Sequence, residues 1–143
     1  MTSSTAIEHY LKSNLNFLGC FPLDRLPLFP KTFPKTMIVN TQKSSKSGEH
    51  WLALLLTKNK CYYFDSFGWG LLEGEIGKFL KDYYKTVIYS TMCIQHIESD
   101  KCGEYCISFI QNVKCQLSYK IFLLKFDSIN LENNDKIFLN MLK

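Results

Sequence analysis

The chain has 143 residues, of which 46% are hydrophobic, a formal net charge of +4 and six cysteines. This length and hydrophobic content predict one domain, residues 1–143, with a single core, and leave no room for two ordinary domains. The charge is well below that of a dedicated DNA-binding domain, so it does not indicate specific base recognition but allows non-specific contact with DNA.

The start of the chain and its apolar segments bear on its compartment. No basic, apolar leader opens the sequence, so we expect a protein that is not secreted and whose cysteines are free thiols. The longest apolar run, Trp51–Leu56, is the length of a strand and falls far short of the roughly 20 residues that a membrane span needs. We therefore expect no membrane partner, and we expect the protein to be a monomer.

The first third of the chain predicts a helix, a loop and a strand. Thr5 and Glu8 have the spacing of a capping box, which indicates a short helix near the N-terminus. The four prolines of the chain all lie between Phe21 and Pro34, so this segment is expected to be an extended loop. The run Thr36–Asn40 then predicts a short buried strand.

Two apolar runs, Trp51–Leu56 and Lys60–Asp65, predict a β-hairpin. The first run is apolar at every position, which is typical of a central strand that is covered on both faces. A two-residue turn at Lys58-Asn59 would set His50 diagonal to Asp65 at one end of the hairpin, about 7–8 Å apart in the backbone. A change of one residue in the turn would reverse this arrangement, so the pairing depends on the turn.

Helical and strand patterns alternate in the second half of the chain. Apolar positions in Ile76–Tyr84 predict a helix with one buried face. Val87–Tyr89 and Met92–Ile94 predict short strands, and the second of them ends at Gln95. Two C-terminal helices are predicted at Ile121–Phe126 and Ile137–Leu142.

Cys102 begins the clearest helical pattern, in which apolar side chains recur as far as Val113. Ser99 or Asp100 is expected to cap this helix. The unpaired amides and the positive end of the peptide dipoles at a first turn favour a thiolate. Cys102 is therefore the candidate nucleophile, whereas Cys106, one turn further along the apolar face, is expected to be a core residue.

A cysteine nucleophile needs a base, a group that orients the base, and donors for the oxyanion of the tetrahedral intermediate. His50 is the candidate base and Asp65 the candidate orienting group. The side-chain amide of Gln95 would act as an oxyanion donor beside the backbone amide of Cys102. Gly103 has no side chain, which would let a substrate carbonyl approach the helix closely.

Other interpretations of the same residues stay open. An aspartate at a strand end, such as Asp65, is also a typical turn cap. Cys102, Cys106 and His96 together suggest a metal site, but the set has no fourth ligand and matches no common zinc spacing, so we expect no metal. Trp69 and the neighbouring aromatic residues are more typical of a core than of a stacking surface for nucleic acid.

Three short motifs occur in the order Gly48-Glu49-His50-Trp51, Tyr63-Phe64-Asp65-Ser66-Phe67-Gly68, and Gln95 followed by Cys102-Gly103. Their sequences and order resemble the adenovirus maturation protease (adenain) family and, more distantly, the ubiquitin-like-modifier proteases of the same clan. The resemblance implies an α+β, papain-like fold with a central mixed sheet flanked by helices and the nucleophile at the N-terminus of a buried helix. It also implies a catalytic set of His50, Asp65, Gln95 and Cys102.

The family resemblance implies a viral cysteine endopeptidase that cleaves structural precursor proteins during virion maturation, in the virion and in the nucleus or cytoplasm of the host cell. The chemistry requires no cofactor, but stimulation by DNA and by an activating viral peptide is implied. Trp51 would pack beside the base, and Glu49, Trp51 and Gly103 would contact substrate. Two alternatives remain: a deconjugating protease for ubiquitin-like modifiers, and a non-catalytic virion or DNA-associated protein on the same fold.

Overall fold

The computed structural model describes residues 2–45, 50–70 and 75–142, and this part of the chain contains one five-stranded sheet and five α-helices. The strands are β1 (Phe17–Phe21), β2 (Lys35–Asn40), β3 (Trp51–Leu56), β4 (Lys60–Phe64) and β5 (Thr86–Tyr89). The helices are α1 (Ser4–Leu11), α2 (Glu75–Tyr83), α3 (Cys102–Asn112), α4 (Gln116–Leu124) and α5 (Asn134–Met141), the last preceded by a short 3₁₀ turn at Leu131–Asn133.

The sheet is mixed, and its spatial order is the chain order β1-β2-β3-β4-β5. Strands β2, β3 and β4 form an antiparallel meander, while β1 and β5 join its two edges in parallel. In the central hairpin Ala53 pairs with Phe64, and the amide of Thr57 donates to the carbonyl of Lys60 at 2.9 Å. The predicted two-residue turn and its register are confirmed.

Both faces of the sheet are covered. All residues of β3 are buried, which confirms the prediction of a central strand. On one face α3 packs against the sheet, with the Phe64 and Phe109 rings stacked at 4.9 Å between centroids. On the other face Leu52 and Leu54 share a cluster with Leu80 of α2. The expected α+β architecture, with the helix of Cys102 buried against a mixed sheet, is confirmed.

Several local expectations were wrong. Strand β1 was not predicted, because its residues are only partly buried and Gly19 interrupts the pattern. Met92–Ile94 is not a strand, because the amide of Ile94 donates to the carbonyl of Ser66 and so ties this segment to the end of β4. Helix α1 is capped by the Ser3 hydroxyl, which accepts from the amide of Ala6, and not through Thr5.

Among the described residues, no helix combines the length and the apolar character that crossing a bilayer requires.

Candidate active site

His50 and Asp65 meet at one end of the central hairpin. His50 immediately precedes β3 and Asp65 immediately follows β4. The hairpin register brings Nε2 of His50 to 2.7 Å from Oδ1 of Asp65. The two side chains are 3% and 1% exposed, so the pair is almost fully shielded from water. A short hydrogen bond in such an environment fixes the imidazole orientation.

The Asp65 carboxylate is held by the turn that follows it. Oδ1 also accepts from the amide of Phe67 at 2.9 Å, and Oδ2 accepts from the amide of Trp69 at 3.3 Å. Asp65 therefore caps the turn and contacts His50 at the same time. The turn-capping interpretation of Asp65 is confirmed, and its catalytic role as the group that orients His50 stays a prediction.

Gly68 lets this turn approach the segment that leads to Gln95. Its φ of +68° lies in the left-handed region, and an added Cβ would lie 2.6 Å from the backbone carbonyl carbon of Met92. No other residue type has room here. The turn after Asp65 is therefore in direct backbone contact with the loop that carries Gln95.

Phe67 and Trp69 pack beside the His50 ring, at 4.8 and 5.5 Å between ring centroids, and stack on each other at 4.8 Å. Trp69 is 60% exposed, so the expectation that it belongs to the core was wrong. Trp51 is instead buried, and its indole N–H donates to the backbone carbonyl of Thr2 at 2.9 Å. Contact between Trp51 and substrate stays a prediction.

Gln95 is buried with its side-chain amide bonded at both ends. The Ser66 hydroxyl donates to Oε1 at 2.5 Å, and Nε2 donates to the carbonyl of Ser99 at 2.9 Å. A hydroxyl can pair with either end of an amide, but a carbonyl only accepts. The Ser99 carbonyl therefore decides which way the amide points. It accepts one of the two Nε2 hydrogens, and these two bonds leave the other hydrogen unused.

Cys102 is the first residue of α3 and is 4% exposed. No side chain of the described residues caps this helix, whose N-cap position is Lys101. The expectation that Ser99 or Asp100 caps it was wrong: the Ser99 hydroxyl accepts from the amide of Lys101 at 3.2 Å, before the first helical residue, and donates to the carboxylate of Asp135. The first-turn amides therefore face the site without a side-chain acceptor, as an oxyanion donor must.

His50 interacts with both Asp65 and Cys102. Burial by itself lowers the pKa of this histidine, but the hydrogen bond and charge of Asp65, and then the interaction with Cys102, raise it to about 9. Since Asp65 occupies Nε2, the buried Nδ1 is the nitrogen left for the interaction with Cys102. The histidine is positively charged at neutral pH and can stabilise a neighbouring thiolate.

The remaining predicted residues have different surroundings. A Cβ on Gly103 would lie 3.1 Å from side-chain atoms of both Ile7 and Thr2, so the missing side chain makes room for the N-terminal segment, and contact with substrate stays a prediction. Glu49 lies outside the described residues. Cys106 is fully buried, and burial raises the pKa of its thiol well above the usual range, which confirms a core residue.

No group of three or more potential metal ligands occurs in the part of the chain that the structure describes.

Sequence reasoning missed the residues that hold Gln95 in place. Ser66 was visible only as part of a motif, and its hydroxyl is fully buried against Gln95. Asn134 and Asp135 of α5 contact the same loop through side-chain hydrogen bonds. The position of Ser66, directly after Asp65, was the one signal in the sequence that could have identified it. No sequence pattern connects Asp135 to Ser99, which lies 36 positions earlier.

Comparison with known proteins identifies the family of this chain. The family model described as the adenovirus endoprotease matches residues 17–137. The chain belongs to the adenovirus endoprotease family. The matched range contains His50, Asp65, Gln95 and Cys102, whose catalytic roles stay predictions.

Curated adenovirus proteases are similar over most of the chain. The protease of Human adenovirus B serotype 3 is 35% identical, in an alignment that covers 72% of this chain and 60% of that protein. The protease of Bovine adenovirus 4 is 31% identical, with 76% and 63% covered. This chain thus spans less than two thirds of the length of these adenovirus endoproteases.

A solved structure supports the fold. The crystal structure of the ASFV pS273R protease matches with a TM-score of 0.55 and 15% sequence identity, covering 98% of this chain and 65% of that one. The central sheet and flanking helices of this adenovirus endoprotease family member are therefore an arrangement that a crystallographically determined viral protease also has.

Proposed function

We propose that this chain is a cysteine endopeptidase encoded by a virus or a virus-like element, and that it cleaves the precursors of structural proteins during virion maturation. The observation that carries the proposal is the 2.7 Å contact between His50 and Asp65. His50 also interacts with Cys102 at the start of α3, and the two interactions raise the pKa of His50 to about 9. Membership of the adenovirus endoprotease family supports the choice of a polypeptide substrate.

The reaction begins from a thiolate and an imidazolium. The Cys102 thiolate attacks the carbonyl carbon of the scissile peptide bond, and His50 donates a proton to the leaving amine. The acyl-enzyme is a thioester. His50, now neutral, takes a proton from water, the resulting hydroxide attacks the thioester, and Cys102 leaves as a thiolate. Asp65 keeps the imidazole in one tautomer and orientation throughout.

The oxyanion of each tetrahedral intermediate needs donors that are already in place. The backbone amide of Cys102 and the Nε2 hydrogen of Gln95 that does not bond to Ser99 are the two donors in this proposal. Both are held before substrate binds, so no reorganisation is needed during the reaction.

Substitution of the two cysteines on α3 tests the nucleophile. Cys102→Ala is expected to abolish both peptide cleavage and labelling by a thiol-reactive peptide probe, because no acyl-enzyme can form. Cys106→Ala is the matched control, since it removes a thiol one turn away. If Cys106→Ala abolishes cleavage and labelling while Cys102→Ala retains them, the assignment is wrong.

The substrate class is tested separately. A library of unstructured peptides should be cleaved at internal positions. Activity confined to the C-terminal Gly-Gly of a folded ubiquitin-like modifier would instead support deconjugation. Salt-sensitive DNA binding without thiol labelling would support the non-catalytic alternative.

The proposal extends to partners and location. The net charge of +4 supports weak, non-specific contact with DNA, and family membership supports stimulation by DNA and by a viral peptide. We place the protein in the virion and in the nucleus or cytoplasm of the host cell, as a monomer. Cleavage rates with and without DNA at several salt concentrations test the first of these statements.

A further inference from the structure

The Gln95 amide depends on a carbonyl that is not part of the catalytic set. The Ser66 hydroxyl holds Oε1, but only the Ser99 carbonyl fixes the end that carries the hydrogens. If Ser99 moved, the amide could rotate by half a turn and still bond to Ser66, because a hydroxyl both donates and accepts. The position of Ser99 therefore determines whether Gln95 presents a donor or an acceptor to the oxyanion.

Ser99 is itself held by α5. Its hydroxyl donates to the two carboxylate oxygens of Asp135 at 2.9 and 3.1 Å. The same carboxylate accepts a 2.7 Å hydrogen bond from the hydroxyl of Tyr105, which is fully buried and lies one turn after Cys102 on α3. Asp135 thus joins the loop that carries one proposed oxyanion donor to the helix that carries the other.

The neighbouring residue of α5 holds the other end of the loop. Asn134 is fully buried, and its Nδ2 donates to the carbonyl of Ile94 at 2.7 Å, directly before Gln95. The same amide group is fixed by two bonds to the backbone of Asp127, at 2.8 and 3.0 Å. The first two residues of α5 therefore hold both ends of the segment that runs from Gln95 to the nucleophile.

We propose that Asp135 is a positioning residue for the oxyanion site. It acts through Ser99 on the Gln95 amide and through Tyr105 on the start of α3, and it does not touch substrate. The inference rests on the proposed function, because it assigns a role in peptide hydrolysis. It gives α5, which contributes no residue to the catalytic set, a direct part in the rate of the chemical step.

A purely structural role for Asp135 would have different consequences. Loss of a structural contact lowers the fraction of folded protein, but each folded molecule keeps its kcat and KM. Loss of a positioning contact lowers kcat in folded molecules while KM changes little, because the oxyanion donors act in the transition state. Alkylation of Cys102 by iodoacetamide forms no oxyanion, so its rate should depend on neither Asp135 nor Gln95.

The experiment compares Asp135→Ala with wild type in the whole chain. We expect kcat for a peptide substrate to fall by about tenfold, the effect of about one charge-assisted hydrogen bond. KM and the rate of iodoacetamide alkylation of Cys102 should stay within about twofold of wild type. The side-chain NH₂ resonances of Gln95 in an ¹⁵N-¹H spectrum should shift and exchange faster with solvent.

Glu132→Ala is the matched control. It removes an exposed carboxylate from the 3₁₀ turn directly before α5, and this carboxylate makes none of the hydrogen bonds to the Gln95 loop described above. The variant should therefore keep the wild-type kcat and the wild-type Gln95 resonances. If Asp135→Ala behaves like this control in both measurements, the proposal is overturned.

A second variant covers the case in which Asp135→Ala does not fold. Ser99→Ala removes the hydroxyl that reaches Asp135 and keeps the carbonyl that accepts from Gln95. It should lower kcat in the same way and perturb the Gln95 resonances; wild-type values for both would count against the proposal. If the wild-type chain cleaves no peptide, the proposed function fails, and the Gln95 resonances alone then decide whether Asp135 positions the amide.

Discussion

The two halves of the candidate site are built in different ways. His50 and Asp65 are brought together by one hairpin and separated by 15 positions in the chain. Gln95 and Cys102 lie on a loop and a helix start whose partners come from the turn after β4 and from α5. The first half needs only correct local pairing, whereas the second depends on elements that are distant in sequence. Substitutions in the two halves should therefore affect activity and stability in different ways.

Among substitutions that keep the Cys102 thiol, the largest loss of activity is expected from Asp65→Asn in the hairpin half of the site, His50 and Asp65. The folded-state pKa of His50, about 9, lies above its ordinary value of 6.5. The imidazolium that is proposed to protonate the leaving amine is thus present at neutral pH and is lost as the pH rises through about 9. Removing the carboxylate charge lowers this pKa, so the alkaline limb of kcat/KM should move down by about one to three pH units.

Asp65→Asn should also lower kcat/KM by about a hundredfold at neutral pH, since general acid catalysis is weakened. The measurement is a pH–rate profile with a peptide substrate. Asp82→Asn, which changes an exposed carboxylate on α2, is the control and should leave the profile unchanged. An alkaline limb that stays at its wild-type position in Asp65→Asn would contradict the assignment of Asp65.

A smaller loss of activity is expected from a substitution at Gly68, where the turn after Asp65 contacts the segment that leads to Gln95. Gly68→Ala places a Cβ 2.6 Å from the Met92 backbone in a left-handed conformation, whereas Gly70→Ala has a similar φ of +81° but nothing within 4 Å. Each substitution costs about 1–3 kcal/mol of unfolding free energy through backbone strain. Only Gly68→Ala adds a steric clash, so it should be the less stable variant and the less active per folded molecule.

Urea unfolding and kcat of the two glycine variants check this prediction. Equal losses of stability in both would mean that the close approach to Met92 adds nothing beyond backbone strain.

The smallest effect is expected at Ser66. Ser66→Ala removes the hydroxyl on Oε1 of Gln95 and leaves that buried oxygen without its partner. The Ser99 carbonyl still fixes the orientation of the amide. We therefore expect kcat to fall by about three- to tenfold with little change in KM. Ser128→Ala, at an exposed serine, is the control; a loss at Ser66 larger than that at Asp135 would reverse the proposed order of importance.

The hairpin half was predictable because its geometry follows from local rules. The continuous apolar run of β3 and the turn at Lys58-Asn59 define the register, and the register alone brings His50 to Asp65. The helical pattern that starts at Cys102 was equally clear, since it repeats over three turns of α3. These features depend on residues that are close in sequence.

For the loop half of the site, Gln95 and Cys102, the sequence predicted the residue types but not their hydrogen-bond partners. The sequence suggested a strand before Gln95 and a side-chain cap for α3, and neither forms. The loop instead bonds to the Ser66 carbonyl and the Asp135 carboxylate. These groups come close to it only when the turn after β4 and helix α5 pack against the loop. Backbone groups choose between such partners by tertiary proximity, which no local pattern contains.

The sequence by itself therefore determined the hairpin register, the helix of Cys102 and the identity of the four candidate residues. The tertiary structure alone decided the orientation of the Gln95 amide, the exposure of Trp69 beside His50, and the connection of α5 to the site. The physical reason is the separation along the sequence over which each interaction acts. Strand pairing and helix periodicity act over a few residues, whereas the hydrogen bond from Ser99 to Asp135 joins positions 36 residues apart.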